Sequence, residues 1–123
     1  MTILRNTRSG FHLLSPDSAE THWEDWWDIV DQTLQSEVSP QAFLLDDSAG
    51  SLRFEEAEVP GLRLKFKELE KRVSFLAFVT TNDFGFGLAR MAELQNDGGL
   101  VLFRVFRQKK DAEKWIRESV SMP

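Results

Sequence analysis

The chain has 123 residues, 15 basic against 20 acidic side chains, a net charge of −5, and 41% hydrophobic residues. That length holds one domain with its own core, and the acidic balance argues against a protein that grips a nucleic-acid backbone. The absence of cysteine removes disulfides, zinc-thiolate sites and thiol nucleophiles, and with no apolar run of ~20 residues and no signal-peptide pattern the chain reads as a cytoplasmic protein without a membrane span.

Residues 2–8 mix Ile3 and Leu4 with polar side chains and predict an edge strand. The Ser9-Gly10 turn signal and the apolar residues 11–14 complete a hairpin. Ser15-Pro16-Asp17-Ser18-Ala19-Glu20 then offers a polar cap, a proline suited to a first turn and two early carboxylates, and predicts a helix start. Trp23, Trp27, Val30 and Leu34 follow at spacings of four, three and four, which is one face of a helix. Trp26 and Ile29 widen that stripe, while Glu24, Asp25, Asp28 and Asp31 cover the other side. The helix is expected to fade over residues 36–39, and Pro40 blocks its continuation.

Residues 42–45 form an apolar strand-like run ending in Asp46-Asp47, and residues 48–51 carry loop chemistry. Over residues 52–72 two patterns compete. Leu62, Phe66 and Leu69 keep helical spacing after Pro60, whereas Leu62, Leu64 and Phe66 alternate as in a strand. The helix is preferred because Lys65, Glu68, Leu69, Glu70 and Lys71 are good helix formers. Residues 73–79 are almost uniformly apolar, as in a strand covered on both faces. Residues 80–83 supply a turn and cap, and residues 84–94 read as a helix with Phe84, Leu88, Met91 and Ala92 inward. Asn96-Asp97-Gly98-Gly99 ends it, residues 100–106 are a second central-type strand, and residues 111–120 form a helix burying Ala112, Trp115 and Ile116. A hairpin followed by alternating helices and strands predicts a single α/β domain over residues 1–123, with parallel later strands and right-handed crossovers.

Two stretches carry more than a pattern. Val73-Ser74-Phe75-Leu76-Ala77-Phe78-Val79 leads into Phe86-Gly87-Leu88-Ala89-Arg90-Met91, and Phe103-Arg104-Val105-Phe106-Arg107 leads into Asp111-Ala112-Glu113-Lys114-Trp115-Ile116. Together they resemble the C-terminal half of the bacterial STAS/SEC14-like group, also called SpoIIAA-like. The resemblance runs in pattern over residues 40–118. It implies the SpoIIAA-like (STAS) fold, a mixed, mostly parallel sheet of about five strands with about four helices. Classical anti-sigma-factor antagonists of this group are phosphorylated on a serine in an Asp-Ser-Ser-Gly-like motif. The match here is Asp47-Ser48-Ala49-Gly50, with Ala49 in place of the second serine, so the resemblance carries a phospho-acceptor only to Ser48.

Open α/β sheets place ligands beyond the carboxyl ends of their strands. Asp46, Asp47, Ser48 and Ser51 after one strand, and Thr80, Thr81, Asn82 and Asp83 after the next, are therefore a candidate phosphorylation or ligand loop. The same residue types cap helices and close turns. Asp83-Phe84-Gly85-Phe86-Gly87 contains an Asp-Phe-Gly and a Gly-x-Gly, but the chain lacks a kinase's other parts, and Arg90 stands where a dinucleotide fingerprint has its third glycine. Trp26 is a candidate interface residue. His12 and His22 lack metal-ligand spacing, and no nucleophile elbow or activated nucleophile is visible. Arg104, Arg107, Lys109 and Lys110 read as a solvated helix entrance. These features predict a non-enzymatic STAS-like module, with no cofactor or metal, acting through a regulatory protein partner. A homodimer is expected, because both predicted central strands are apolar on both faces. The alternative is a small apolar-ligand or lipid carrier of the SEC14-like type.

Overall fold

The structure, a computed structural model, describes residues 3–8, 10–96 and 98–121. Thr2, Ser9 and Asp97, which enter the predicted strand and turns, lie outside the described residues. Strands β1 (Ile3–Arg8) and β2 (Phe11–Pro16) form the expected antiparallel hairpin. Gly10 turns it with φ +89°, and a Cβ there would meet Val120 Cγ2 at 2.8 Å, so the turn itself packs on the last helix. The chain continues as α1 (Trp23–Gln35), β3 (Gln41–Asp47), a short 3-10 turn (Glu56–Glu58), α2 (Val59–Leu69), β4 (Val73–Thr80), α3 (Asp83–Gln95), β5 (Leu102–Phe106) and α4 (Lys109–Ser121). The five strands lie in the order β1-β2-β3-β4-β5, and every pair from β2 onward is parallel. In β4 and β5, Phe75 sits opposite Leu102 and Val79 opposite Phe106.

Each crossover carries its helix to the same face. Residues of α1, α2 and α3 share one core with Phe43, Leu45, Leu76, Phe78, Phe103 and Val105. The opposite face carries Phe11, Leu13, Ala42, Leu44, Ala77 and Val79 and is covered by α4 through Ala112 and Ile116. The alternation of β4 thus divides its side chains as the sequence predicts. One helix suffices on the second face because its central residues are small or aliphatic, and Leu44, Ala77 and Val79 are fully enclosed. On β5 that cover is incomplete, and Leu102 stays 52% exposed.

Four local expectations need correction. The helix does not begin at Ser15: β2 extends to Pro16, and Thr21 is held extended by its N–H to Ser51 O (2.8 Å) and by Arg53 N–H to its own carbonyl (2.9 Å). α1 starts only afterwards, with Asp25 accepting from the His22 backbone N–H at 2.9 Å. Trp26 borders no exposed patch; it is fully buried, while Trp27 is half-buried and stacks on Trp23 with centroids 5.2 Å apart. Phe84 and Met91 point outward, because a helix starting at Asp83 turns Gly85, Leu88, Ala89 and Ala92 to the sheet. Leu100 is exposed and precedes β5 rather than starting it. The ambiguous segment resolves as α2, with Pro60 in its first turn, Leu62, Phe66 and Leu69 buried, and Leu64 exposed.

Candidate functional site

The loops after β3 and β4 do converge at the carboxyl edge of the sheet. Thr81 Oγ1 donates to the Ser48 carbonyl at 3.0 Å, tying the two loops together. Ser48 is exposed; its backbone N–H donates to Asp46 Oδ1 at 3.1 Å, and its hydroxyl donates to the same oxygen. The other Asp46 oxygen faces Lys109 Nζ at 3.5 Å from the start of α4. Asp83 is drawn away from this group, pairing instead with Arg107, whose guanidinium lies 4.1 Å from the Phe86 ring centre. Asn82 caps α3 by accepting from Gly85 N–H at 2.9 Å.

Asp47 has a different role from its neighbour. It is almost fully buried, and its carboxylate accepts from Ser51 N–H (2.9 Å), Ser51 Oγ (2.8 Å) and Leu52 N–H (3.0 Å). Burial raises its pKa above the usual aspartate value, and the three hydrogen bonds, which favour the charged form, offset only part of that shift. A line of donors leads into it: Trp26 Nε1 donates to Thr21 Oγ1 (3.0 Å), Thr21 Oγ1 lies 3.1 Å from Ser51 Oγ, and Ser51 donates to Asp47. With Ser51 donating to Asp47, Thr21 completes the chain by donating to Ser51. Gly50, at φ +71°, provides the turn that brings Ser51 back over Asp47. The network fastens α1, the strand end and the loop together. Nothing in the sequence around Thr21 marks it as a partner of residues thirty positions away.

The chemistry open to these loops is narrow. Ser48 has a carboxylate neighbour but no histidine: His12 bonds Gln41 at the opposite end of β3 (3.0 Å), and His22 faces Glu20 (3.3 Å). Among the described residues no three His, Asp or Glu side chains stand together as metal ligands. Two of the four residues of the predicted basic cluster are neutralised within the chain, Arg107 by Asp83 and Lys109 by Asp46 and Glu113.

A second feature, not anticipated from the sequence, lies along β5, the last strand of the sheet. A groove of about 600 Å3 runs beside it between α3 and α4, walled by Leu94, Leu102 and Trp115 with Arg90 and Arg104 at its rim. Arg104 lies 5.7 Å from both the Phe106 and Trp115 ring centres. Glu93, which pairs with Arg90, accepts from the outward Val105 N–H at 2.9 Å, and Asn96 Nδ2 donates to the Val101 carbonyl at 2.8 Å. The sequence signal was the alternation of Leu102 and Arg104 with Val101, Phe103 and Val105, which marks a strand face less enclosed than that of β4.

A parallel α/β sheet entered through an antiparallel hairpin, with three helices on one face and one on the other, defines a SpoIIAA-like fold. The chain is similar to a crystal structure of an uncharacterized DUF3478-family protein with a SpoIIAA-like fold from Shewanella loihica PV-4, at TM-score 0.58 and 16% identity over 93% of this chain and 91% of that one. At that identity the likeness carries the fold, and it brings no link to lipid transfer. No family model and no curated protein matches the chain. Among the described residues no helix is long and apolar enough to cross a membrane.

Proposed function

We propose that the protein is a non-enzymatic SpoIIAA-like module that works through protein–protein contact, with the free edge of β5 as its docking surface. One observation carries this reading. Leu94 and Leu102, 61% and 52% exposed, stand together in the wall of the groove beside β5. Large apolar side chains gathered at one edge mark interaction sites more often than scattered ones do, and each leucine fully buried by a partner contributes about 1.5–3 kcal/mol. The polar loops support the non-enzymatic part of the reading. Asp47 is engaged by three donors from its own loop and Ser48 has no base beyond Asp46, so their chemistry serves loop closure.

The test is affinity capture from the source cell with the wild type and with a Leu94→Asp/Leu102→Asp double variant, paired with native mass spectrometry of the purified protein. A partner retained by the wild type and lost by the double variant is the expected result. A mass of two chains assigns the edge to a second copy, making the protein the homodimer expected from its sequence. A copurified apolar molecule, or capture unaffected by the double variant, overturns the reading, the former in favour of the carrier.

A further inference from the structure

We propose that the β5 edge takes an extended segment of a partner protein in which apolar and acidic side chains alternate, added to the sheet as a sixth strand. This rests on the docking reading above and assigns its partner. Three features of the edge select such a segment.

The first is the state of the backbone. Among the described residues β5 has a strand neighbour on one side only. Val101, Phe103 and Val105 turn their N–H and C=O groups outward, since the Val105 N–H and the Val101 carbonyl both meet side chains there and alternate residues of a parallel strand share that direction. Glu93 and Asn96 therefore close the two ends of the edge, and Phe103 lies between them with no strand beside it. An added strand would pair first at Phe103 and extend to Val101 and Val105 by displacing the Asn96 and Glu93 side chains.

The second is charge. Arg90 is matched by Glu93, but Arg104 pairs with no carboxylate among the described residues and is held over Trp115 and Phe106. A guanidinium already oriented by two rings is suited to a two-pronged carboxylate contact. On a chain of net charge −5 this is a local positive site, and a second copy along the same edge would bring a second Arg104 rather than an acid.

The third is the groove's two walls. Leu94 stands on the α3 side, and Leu102, Arg104 and Trp115 on the α4 side. Alternate residues of an added strand face opposite sides, so an apolar residue meets Leu94 while the next, acidic, meets Arg104.

A random octapeptide display library selected on the purified full chain tests this, repeated on Arg104→Glu and Arg104→Gln variants whose folding is checked by circular dichroism. The expected wild-type consensus alternates apolar residues with Asp or Glu. The best peptide loses at least tenfold in affinity on Arg104→Gln, Arg104→Glu shifts the consensus toward Lys or Arg, and amide exchange at Phe103 slows when the peptide binds. An apolar consensus without acid, or one indifferent to both Arg104 variants, overturns this inference while leaving a docking module. Failure of every peptide to enrich, together with capture indifferent to the Leu94/Leu102 double variant, overturns both.

Discussion

Replacing Asp47 by alanine removes one acceptor group and strands three donors at once: Ser51 N–H, Ser51 Oγ–H and Leu52 N–H, bonded at 2.8–3.0 Å. A buried donor left without a partner costs about 1–3 kcal/mol. The loop is open to solvent at Ser48 and Ala49, so water reaches part of the vacated space and holds the total near the lower bound, about 3 kcal/mol. For a chain of this length that lowers Tm by roughly 10–15 °C. Urea unfolding followed by tryptophan fluorescence gives the loss directly as a shift in midpoint at unchanged slope. Asp47→Asn separates charge from hydrogen bonding. Burial raises the pKa of Asp47, so its contribution to stability is fully present below the unfolded value near 3.8 and declines as pH rises through the higher folded value. Asparagine has no such titration, and the stability of Asp47→Asn relative to wild type should improve from pH 3 to pH 7. A loss below about 1 kcal/mol for Asp47→Ala, or a relative stability of Asp47→Asn that falls over that range, refutes the role given to this carboxylate.

Trp26→Phe removes the Nε1 donor to Thr21 and leaves part of a fully buried indole's space empty; it should cost about 2–3 kcal/mol in the same urea assay, whereas Trp26→Glu should unfold the protein rather than alter any association. Trp115 is half-buried, with ring centres 5.9 Å from Phe75 and 5.8 Å from Phe106, so Trp115→Ala should cost about 2 kcal/mol, less than the ~3–5 of a fully enclosed aromatic, as read by calorimetry. A phosphate on Ser48 would sit against the Asp46 carboxylate with Lys109 as its near cation. Phosphopeptide mapping after incubation with ATP and lysate should therefore find residues 46–51 unmodified.

The sequence made the fold legible where one physical requirement dominated. Residues 73–79 are apolar except for Ser74 because β4 is central and covered on both faces, and the hairpin and the parallel β4–β5 pair follow from turn chemistry and from the helix between those strands. It misled where a tertiary contact overrode a local signal. Ser15-Pro16-Asp17 has the chemistry of a helix start, but Ser15 and Pro16 pair with Leu4 and Ile3 in the hairpin, and the bridge between Thr21 and Leu52 holds the chain out of the helix until Trp23. The three tryptophans of α1 were legible as a helical face, though not which would be enclosed. Trp26 is selected for the interior by the Thr21 hydroxyl that receives its N–H, a partner supplied by the fold. The meeting of the β3 and β4 loops was readable from their place after parallel strands. The division of labour between Asp46, facing Lys109, and Asp47, facing its own loop, was not, since one residue's offset along a strand end reverses the side chain's direction. The β5 edge was hidden for a related reason: Leu102 reads as one more apolar residue of a central-type strand until β5 is seen to end the strand order.

The most direct test of the docking surface is a map of amide chemical shifts as the best selected octapeptide is titrated into the isotope-labelled protein. Changes concentrated at residues 90–94 and 101–106, with the Phe103 amide among the largest, are the predicted result. Changes concentrated instead at residues 46–51 and 80–83 would contradict the account, moving the binding function back to the carboxyl-edge loops.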